Sequence, residues 1–287
     1  MATPMAINTN GGSLTAQRNL SQSSRSMQTS IARLSSGISI SSAADNAAGM
    51  AIAENMRAQQ GGFRQASKNA NDGVSVLQTA ESGYQSISDL LVRMRELAVQ
   101  SANDSVSDTE RGYLDTEYQD LVGEIGRISN VTEFNGISLL DGTAGSLGST
   151  TGTMTFQVGT RNSTNDRITV TLATQNASAL GVGGGNAADS VSSLSQAQGA
   201  ITKIDTALES LSTDRAGLGS TINNLQSAVD NLGATIENYG NALSQIRDTD
   251  MAAESANFSQ TQVLQQAGVA MLSQANAQPN LVLRLLG

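Results

Sequence analysis

The sequence predicts a mainly α-helical protein built as an elongated helical hairpin, or coiled-coil rod. In this arrangement the N- and C-terminal helices pair, a four-helix-type bundle follows, and a small β-hairpin region lies at the distal end. Three observations support the prediction. The two prolines, Pro4 and Pro279, lie near the ends and permit long helices between them. Apolar residues recur at steps of three and four. Aromatic residues are only 3% and Trp is absent, which suits thin helical packing. Partial disorder is the alternative interpretation of this composition.

The first helical tract is predicted over residues 14–40. Its apolar residues repeat at heptad-like intervals and are Leu20, Met27, Ile31, Leu34 and Ile38. Gly37 and the serines around it lower helix propensity. A break or bend is therefore expected near residues 37–43.

Three further helices are predicted before the β region. The second spans about residues 45–73, the third about residues 74–103, and the fourth begins at Ser107. Glu110 follows Ser107 at the spacing of a capping box, in which each side chain accepts a hydrogen bond from the other residue's backbone N–H.

The β region is expected at about residues 135–180. The pairs Asn135-Gly136 and Asp141-Gly142 favour turns with positive φ. The glycine-rich segment 181–189 predicts a flexible turn or linker.

Two segments of this region alternate between apolar and polar residues with a period of two. They are residues 153–159 and 167–173, and both are predicted to be strands joined by a loop over 161–166.

The longest apolar seam runs over residues 194–246 with steps of three or four, and Arg215 occupies one of its positions. A seam of about 50 residues predicts a rod-like helix roughly 75 Å long that has partner helices along its length. Separate short helices of a globular bundle are the less favoured alternative.

The final tract, residues 251–287, is rich in Ala and Gln and only weakly amphipathic. The apolar residues expected on one face are Phe258, Val263, Leu264, Ala267, Met271 and Leu272. Helix is not expected beyond Asn280, because the residues approaching Pro279 are biased towards extended geometry.

The composition argues against an enzyme. The chain has no Cys and no His, so it lacks a thiolate, the usual neutral-pH base and the commonest metal ligand. Its two lysines, Lys68 and Lys203, do not follow glycine, so no phosphate-binding loop is present. No catalytic residue, metal site or cofactor is predicted.

The net charge of −9 argues against nucleic acid as the main partner. No apolar stretch approaches the roughly 18 residues needed to cross a bilayer, and no membrane partner is expected. The N-terminal sequence contains no apolar core of a cleavable secretory signal. The expectation is a cytoplasmic protein or one exported by a dedicated machine.

Several long runs resemble bacterial flagellins, in the order in which that family carries them. They are AINTN (6–10), SLTAQRNL (13–20), ARLSSG (32–37), AADNAAGMAIAENM (43–56), NANDGVSVLQTAE (69–81), VRMRELAVQSAND (92–104), EFNGISLLDG (133–142), NALSQIRDTDMAAES (241–255) and VLQQAGVAMLSQANAQPNLVLRLLG (263–287). Only about residues 143–190 are not diagnostic. The chain resembles a short flagellin without the large outer domains of longer relatives.

The resemblance implies a helical homopolymer, the flagellar filament used for motility. Residues 1–43 and 252–287 would form the inner coiled-coil domain, and residues 44–251 the outer helical domain. It also implies unfolded export through the flagellar type III machine, so the protein would be secreted and extracellular. The partners implied are the cap and hook-junction proteins and an export chaperone that binds the C-terminal tract.

We expect the end tracts to be largely disordered in the monomer and to become ordered when many subunits share a core. Their apolar residues are the candidates for polymerisation: Leu20, Met27, Ile31, Leu34, Ile38, Phe258, Val263, Leu264, Met271 and Leu272.

A second implication concerns innate immunity. Many flagellins carry R-x-R-E-L-A-V-Q on a helix that the flagellin-sensing Toll-like receptor recognises, and residues 93–100 match this motif. By resemblance, Arg93 and Leu97 would be main contacts on one helix face, with Glu117 beside them from the next helix. The full candidate set is Arg93, Arg95, Glu96, Leu97, Val99, Gln100 and Glu117. The alternative is that these residues serve only packing in the filament.

Some positions depart from the family pattern. Ser39 stands where Arg is usual, Ser41 where Asn is usual, and Asn46 where Asp is usual. An ion pair made by that Arg is therefore in doubt here. The C-terminal LVLRLLG also differs in detail from the usual ending.

Two rival classes fit less well. A hook–filament junction protein shares helical termini, but the ARLSSG and DTDMAAES runs favour flagellin. A coiled-coil effector or adhesin would not match at both termini. The metalloprotease that some flagellins carry needs H-E-x-x-H, which a chain without His cannot supply.

Overall fold

The structure is a computed structural model that describes residues 10–143, 152–183 and 190–286, with side chains described up to residue 277. Within these ranges the chain forms five α-helices: α1 (Gly11–Ser36), α2 (Ala47–Ser101), α3 (Asp108–Val131), α4 (Leu194–Arg247) and α5 (Met251–Leu286). The strands are β1 (Glu133–Phe134), β2 (Ile137–Ser138), β3 (Thr153–Gln157) and β4 (Arg167–Thr171). The mainly α prediction with a small β-hairpin region is confirmed.

The chain divides into two compact units. The terminal unit comprises Met1–Ala58 and Asn238–Gly287, and the central unit comprises Gln59–Glu237. The predicted domain limits, near residues 43/44 and 251/252, lie close to the loops that separate helices. The division between the units instead falls within α2 and α4.

In the terminal unit, α1 and α5 pack against each other in antiparallel orientation, as predicted. The N-cap of α1 is Asn10, whose side chain accepts a hydrogen bond from the Ser13 N–H at 3.1 Å. The helix ends at Gly37, which adopts a left-handed φ of 70° and donates its N–H to the Arg33 carbonyl. The predicted break near residues 37–43 is confirmed.

The prediction that helix does not continue beyond Asn280 is wrong, because α5 extends to Leu286. Proline has no N–H and therefore cannot bond to the carbonyl four residues earlier, which here belongs to Ala275. The Asn10 side chain donates to that carbonyl at 2.8 Å. The lost intrahelical bond is thus replaced, which lowers the cost of continuing the helix through Pro279.

The predicted boundary between a second and a third helix at Gly73 is also wrong. Residues 47–101 form the single 55-residue helix α2. A Cβ atom built on Gly73 would lie 3.0 Å from the Phe156 ring. Gly73 therefore provides space for the β3–β4 hairpin and does not end the helix.

Because residues 47–101 form one helix where two were predicted, the central unit is built around three helices, α2, α3 and α4. The predicted four-helix-type bundle is therefore a three-helix arrangement. The capping box at the start of α3 is confirmed: Ser107 N–H donates to the Glu110 carboxylate at 2.8 Å, and Glu110 N–H donates to the Ser107 hydroxyl at 3.4 Å.

The seam predicted over residues 194–246 becomes the 54-residue helix α4. Its buried residues recur at heptad-like intervals and are Ala197, Ala200, Ile204, Ala207, Leu211, Leu218, Leu225 and Leu232. Arg215, the polar residue in the seam, pairs with Glu81 of α2 at 2.7 Å. This ion pair accommodates a charge at a seam position.

The structure contains both the predicted turn at Asn135-Gly136 and the predicted pair of strands. Asn135 and Gly136 have φ values of 52° and 76° and join β1 to β2. Strands β3 and β4 pair antiparallel in the register Thr153↔Thr171 to Gln157↔Arg167. The Asn69 side chain of α2 donates to the Gln157 carbonyl at 3.2 Å, which attaches this hairpin to the helices. Residues 184–189 of the predicted linker lie outside the described ranges.

The core of the central unit lies between α2, α3, α4 and the turns that follow the hairpins. Its largest fully buried side chains are Leu77, Tyr84, Ile87, Leu91, Met94, Leu97, Tyr118, Ile125, Leu139, Leu140, Leu172 and Ile204.

Candidate assembly and recognition surfaces

The contact between α1 and α5 follows one stripe of each helix. The half-buried residues of α5 recur at steps of three and four: Phe258, Thr261, Gln265, Gly268, Leu272 and Ala275. A Cβ atom on Gly268 would lie 3.3 Å from Leu20, so α1 approaches closely there. The stripe is the seam of a two-helix coiled coil.

The ten residues predicted to drive polymerisation are divided by this seam. Leu20, Met27, Leu34, Ile38, Phe258 and Leu272 are half-buried. Ile31, Val263, Leu264 and Met271 are exposed by 48%, 64%, 51% and 64%. The expectation that the apolar residues of α5 share one face is wrong, because Phe258 and Leu272 lie in the seam while the others project into solvent.

The helix pair has a thin core. The buried residues of α1 are Ser13 and Ser30, and among the described side chains of α5 only Glu254 is buried. No large apolar side chain of the pair is fully removed from water within its described residues. Burial of apolar area is the main stabilising contribution to folding, so one copy of this pair has little to hold it together.

A groove of about 510 Å³ runs along the pair. It is lined by Met27, Ile31, Phe258, Gln262, Gln265, Gln266 and Val269. Its lining combines four apolar side chains with three glutamines, which is a composition expected of a surface that another helix covers.

The loops that adjoin the pair are joined through their backbones. The Ser39 N–H donates to the Arg247 carbonyl at 2.7 Å, and the Thr249 N–H donates to the Gly37 carbonyl at 2.9 Å. The Ser39 hydroxyl also donates to the Arg247 carbonyl, at 3.0 Å. The residue that replaces the family's usual Arg therefore makes backbone-directed bonds.

The other two departures also have local partners. The Ser41 hydroxyl donates to the Asp45 carboxylate at 3.1 Å, and Asn46 accepts from the Gly49 N–H at 2.9 Å at the start of α2. Bonds from the backbone and hydroxyl of Ser42, and from Ser41, hold the pKa of Asp45 below its usual value.

The second candidate surface is formed by α2 and α3. The Arg93 guanidinium lies 2.7 Å from the Glu117 carboxylate of α3 and 2.9 Å from that of Glu96 on its own helix. All three side chains are about half exposed, and the bonds to Glu117 and Glu96 raise the pKa of Arg93. The predicted proximity of Arg93 and Glu117 is present.

The remaining predicted residues are distributed around this ion pair. Arg95 pairs with Asp205 of α4 at 2.7 Å. Val99 is 49% exposed, and Gln100 is exposed. Leu97 is only 1% exposed and belongs to the core. The expectation that it shares an accessible face with Arg93 is therefore wrong. Leu97 lies about 40° further round the helix than Arg93, and this offset places it on the side that packs into the core while Arg93 stays half exposed.

Within the described residues, no group of three or more acidic side chains is arranged to hold a metal ion. In the same part of the chain, no helix combines the length and the hydropathy that a membrane-spanning segment requires.

Sequence reasoning missed Arg111. Its side chain is buried, and its guanidinium donates to the carbonyls of Ser101 and Asn103 at 2.9 and 2.8 Å. It thereby binds the C-terminal end of α2, where carbonyls lack intrahelical partners. The sequence alone does not show that the side chain of Arg111 is buried or which carbonyls it binds.

The chain matches two family models: the bacterial flagellin N-terminal helical region over residues 7–145 and the bacterial flagellin C-terminal helical region over residues 201–286. It is 42% identical to a flagellin of Halalkalibacterium halodurans over 282 residues, with 98% of this chain and 100% of the relative covered. It is 40% identical to the flagellar filament 33 kDa core protein of Treponema phagedenis, with the same coverage. A Bacillus subtilis flagellin is 39% identical, again with 98% and 100% covered. These matches, together with the paired terminal helices, show that the chain belongs to the bacterial flagellin family.

Proposed function

We propose that this chain is a structural subunit that polymerises through the α1–α5 pair into the bacterial flagellar filament. The observation that carries the proposal is the combination of a thin core with exposed Val263, Leu264 and Met271 on the same helix pair. Apolar side chains left in water along a two-helix stripe favour burial against further copies. The flagellin family is structural, and the chain is not an enzyme.

Assembly on this surface would couple folding to binding. A two-helix pair without fully buried apolar side chains offsets little of the conformational entropy lost on ordering about 60 residues. Contacts with neighbouring copies supply the missing burial. The terminal tracts are therefore largely disordered in the isolated subunit and ordered in the polymer. A contact between unlike faces that does not close into a ring generates a helical tube.

Trimmed chains test the proposal. Removing residues 1–43, or residues 252–287, takes away one helix of the pair and should abolish polymerisation in sedimentation and electron microscopy. The core of the central unit contains no residue of either segment, so circular dichroism should retain the helical signal of that unit. A trimmed chain that still forms filaments would contradict the proposal.

The route out of the cell belongs to the same proposal. An unfolded chain without Cys can pass through a narrow type III channel because no disulfide can close it during transit. The exposed apolar residues of α5 suit capture by an export chaperone before secretion, and the same helix pair suits end contacts with hook-junction and cap proteins. The subunit would then be extracellular.

We also propose that the α2–α3 surface is a ligand for the flagellin-sensing Toll-like receptor. The Arg93–Glu117 ion pair supports this, because it joins the two helices into one exposed surface. That surface also includes Glu96, Val99 and Gln100. In a filament the same face would be covered by neighbours, so recognition is a property of the monomer.

A reporter assay with monomer tests the receptor proposal. Arg93→Ala with Glu117→Ala should reduce the response at least about tenfold, since central charged pairs of an interface are commonly worth more than about 1.4 kcal/mol. Arg127→Ala with Glu124→Ala is a matched control, because that ion pair is also exposed and lies elsewhere on α3. An unchanged response from the first variant would refute the assignment.

A further inference from the structure

Asn10 uses both ends of its side-chain amide at the N-terminus of α1. Its Oδ1 accepts from the Ser13 N–H of its own helix at 3.1 Å, and its Nδ2 donates to the Ala275 carbonyl of α5 at 2.8 Å. The residues joined by the second bond are 265 positions apart in the sequence. One side chain therefore caps α1 and also fixes a point on its partner helix.

The carbonyl that Asn10 contacts is the one that Pro279 leaves without its helical donor. In an α-helix the N–H of each residue bonds to the carbonyl four residues earlier, and proline has no N–H. Throughout the described part of α5, Pro279 is the only proline. Apart from the carbonyls of the last turn, which no helix satisfies internally, the Ala275 carbonyl is the one that lacks a helical donor because of proline, and Asn10 is bonded to it.

A neighbouring contact supports the same alignment. The Ser13 hydroxyl donates to the Asn276 side chain at 2.8 Å, and Ser13 is buried. The rest of the seam combines the apolar residues Phe258 and Leu272 with small or flexible residues such as Gly268 and Gln265. At the other end of the pair, Arg33 lies 3.8 Å from Glu254, so the Asn10 and Ser13 contacts are the directional contacts at this end. Directional polar contacts between coiled-coil helices are a known means of fixing register.

We propose that Asn10 and Pro279 together form a register lock: Pro279 exposes the Ala275 carbonyl, and Asn10 recognises it, which sets the alignment of α1 on α5. The lock rests on the proposed function, because it positions the helix pair through which the subunit assembles. Asn10 is a positioning residue and need not contact a neighbouring copy.

The test is a double-mutant cycle on the full chain, with the critical concentration for polymerisation as the readout. Asn10→Asp keeps the cap acceptor but removes the donor to Ala275. It should raise the critical concentration about threefold to tenfold, as expected for one lost hydrogen bond. Pro279→Ala restores a backbone N–H to residue 279, which can bond to Ala275 within the helix. In that background Asn10→Asp should change the critical concentration by less than about twofold.

Each outcome of the double-mutant cycle either supports or overturns the register lock. An equal effect of Asn10→Asp in both backgrounds would mean that Asn10 acts only as a cap, and no effect in either would mean that the lock is not used. Both results overturn the inference while leaving filament formation intact. If the unmodified chain does not polymerise, the proposed function itself fails.

A second readout measures register directly, by cross-linking within assembled filaments, where the helix pair is ordered. The chain has no Cys, so Ser13→Cys with Asn276→Cys reports that contact alone on oxidation. Ser13→Cys with Leu272→Cys is the control pair, displaced along α5 by four residues, or about 6 Å. The first pair should form at least about tenfold more disulfide than the second, because disulfide geometry is strict. Adding Asn10→Asp should reduce this ratio, whereas in a Pro279→Ala chain, which already lacks the lock, adding Asn10→Asp should change the ratio by less than about twofold. Equal yields from both pairs would overturn the lock.

Discussion

Arg111 illustrates how a single buried charge can hold two helices at a turn. Its guanidinium donates to the Ser101 and Asn103 carbonyls and lies 3.4 Å from the Asp108 carboxylate. The Ser101 carbonyl at the end of α2 cannot bond within its own helix, so removing the donor takes away its partner. The Asn103 carbonyl also accepts from the Val106 N–H at 3.2 Å. The contribution of Arg111 to stability should therefore exceed that of an exposed ion pair.

Replacing Arg111 by Met tests this, because Met retains most of the apolar stem and loses all donors. Urea unfolding followed by circular dichroism should show a loss of about 2 kcal/mol in the free energy of unfolding. Arg127→Met removes an exposed pair with Glu124 and should cost less than about 1 kcal/mol. Equal losses from the two variants would show that the carbonyl contacts of Arg111 contribute nothing specific.

Tyr84 is the second residue with a distinctive environment. It is 1% exposed, its hydroxyl donates to the Ala173 carbonyl at 3.5 Å, and burial beside Asp214 raises its pKa to about 12. Since the pKa is raised on folding, the unfolded chain loses this proton first as pH increases. The stabilisation is complete below about pH 10 and is lost as pH rises towards 12.

Tyr84→Phe should therefore flatten the alkaline part of the stability curve. Between pH 9.5 and 11.5, the free energy of unfolding should fall more for the unmodified chain than for the variant, by an amount on the order of 1–2 kcal/mol. Urea unfolding at each pH measures it. Tyr113→Phe is the control: its side chain is 72% exposed, and the variant retains Tyr84, so the alkaline loss should persist. Identical slopes for Tyr84→Phe and the unmodified chain would contradict the burial argument.

At the level of the secondary-structure elements, the sequence predicted helices and strands from periodicity but misplaced two boundaries. Gly73 and Pro279 both suggested helix ends, and neither ends a helix. The local effect of each residue was judged correctly, but its tertiary partner, Phe156 or Asn10, is distant in sequence. Propensity cannot reveal such a partner, whereas the cap pair Ser107 and Glu110 is local and was predicted correctly.

Two of the glycines of α2, Gly61 and Gly73, test whether a distant partner overrides helix propensity. A Cβ atom on Gly61 would meet nothing within 4 Å, whereas one on Gly73 would lie 3.0 Å from the Phe156 ring. Gly61→Ala should raise the free energy of unfolding by roughly 0.5–1 kcal/mol through helix propensity. Gly73→Ala should gain nothing or lose stability because the hairpin must shift. Equal gains would show that the hairpin does not restrict Gly73.

At the level of the whole molecule, the family resemblance identified the terminal helices as partners, and their pairing is confirmed. The sequence could not distinguish seam residues from solvent-facing ones on α5, because its apolar residues are sparse and its periodicity is weak. Phe258 and Val263 differ in their surroundings only because of where α1 lies. On the α2–α3 surface, the family resemblance placed Glu117 beside Arg93, but neither it nor the residue spacing could show that Leu97 is buried in the core.

The exposed apolar residues of α5 give the corresponding prediction for assembly. Val263 and Met271 are each 64% exposed, so Val263→Glu with Met271→Glu should leave the central unit's unfolding transition unchanged. In a polymer, the same two carboxylates would be desolvated against neighbouring copies, which is costly for unpaired charges. Val131→Glu is the matched control, because Val131 is 55% exposed and lies on α3 in the central unit.

The most direct measurement is electron microscopy with sedimentation of the full chain after salt-induced polymerisation, comparing the unmodified protein with these variants at equal concentration. We expect filaments from the unmodified chain and from Val131→Glu, and no filaments from Val263→Glu with Met271→Glu. Filaments of normal yield from the double variant would contradict assembly through the α1–α5 pair.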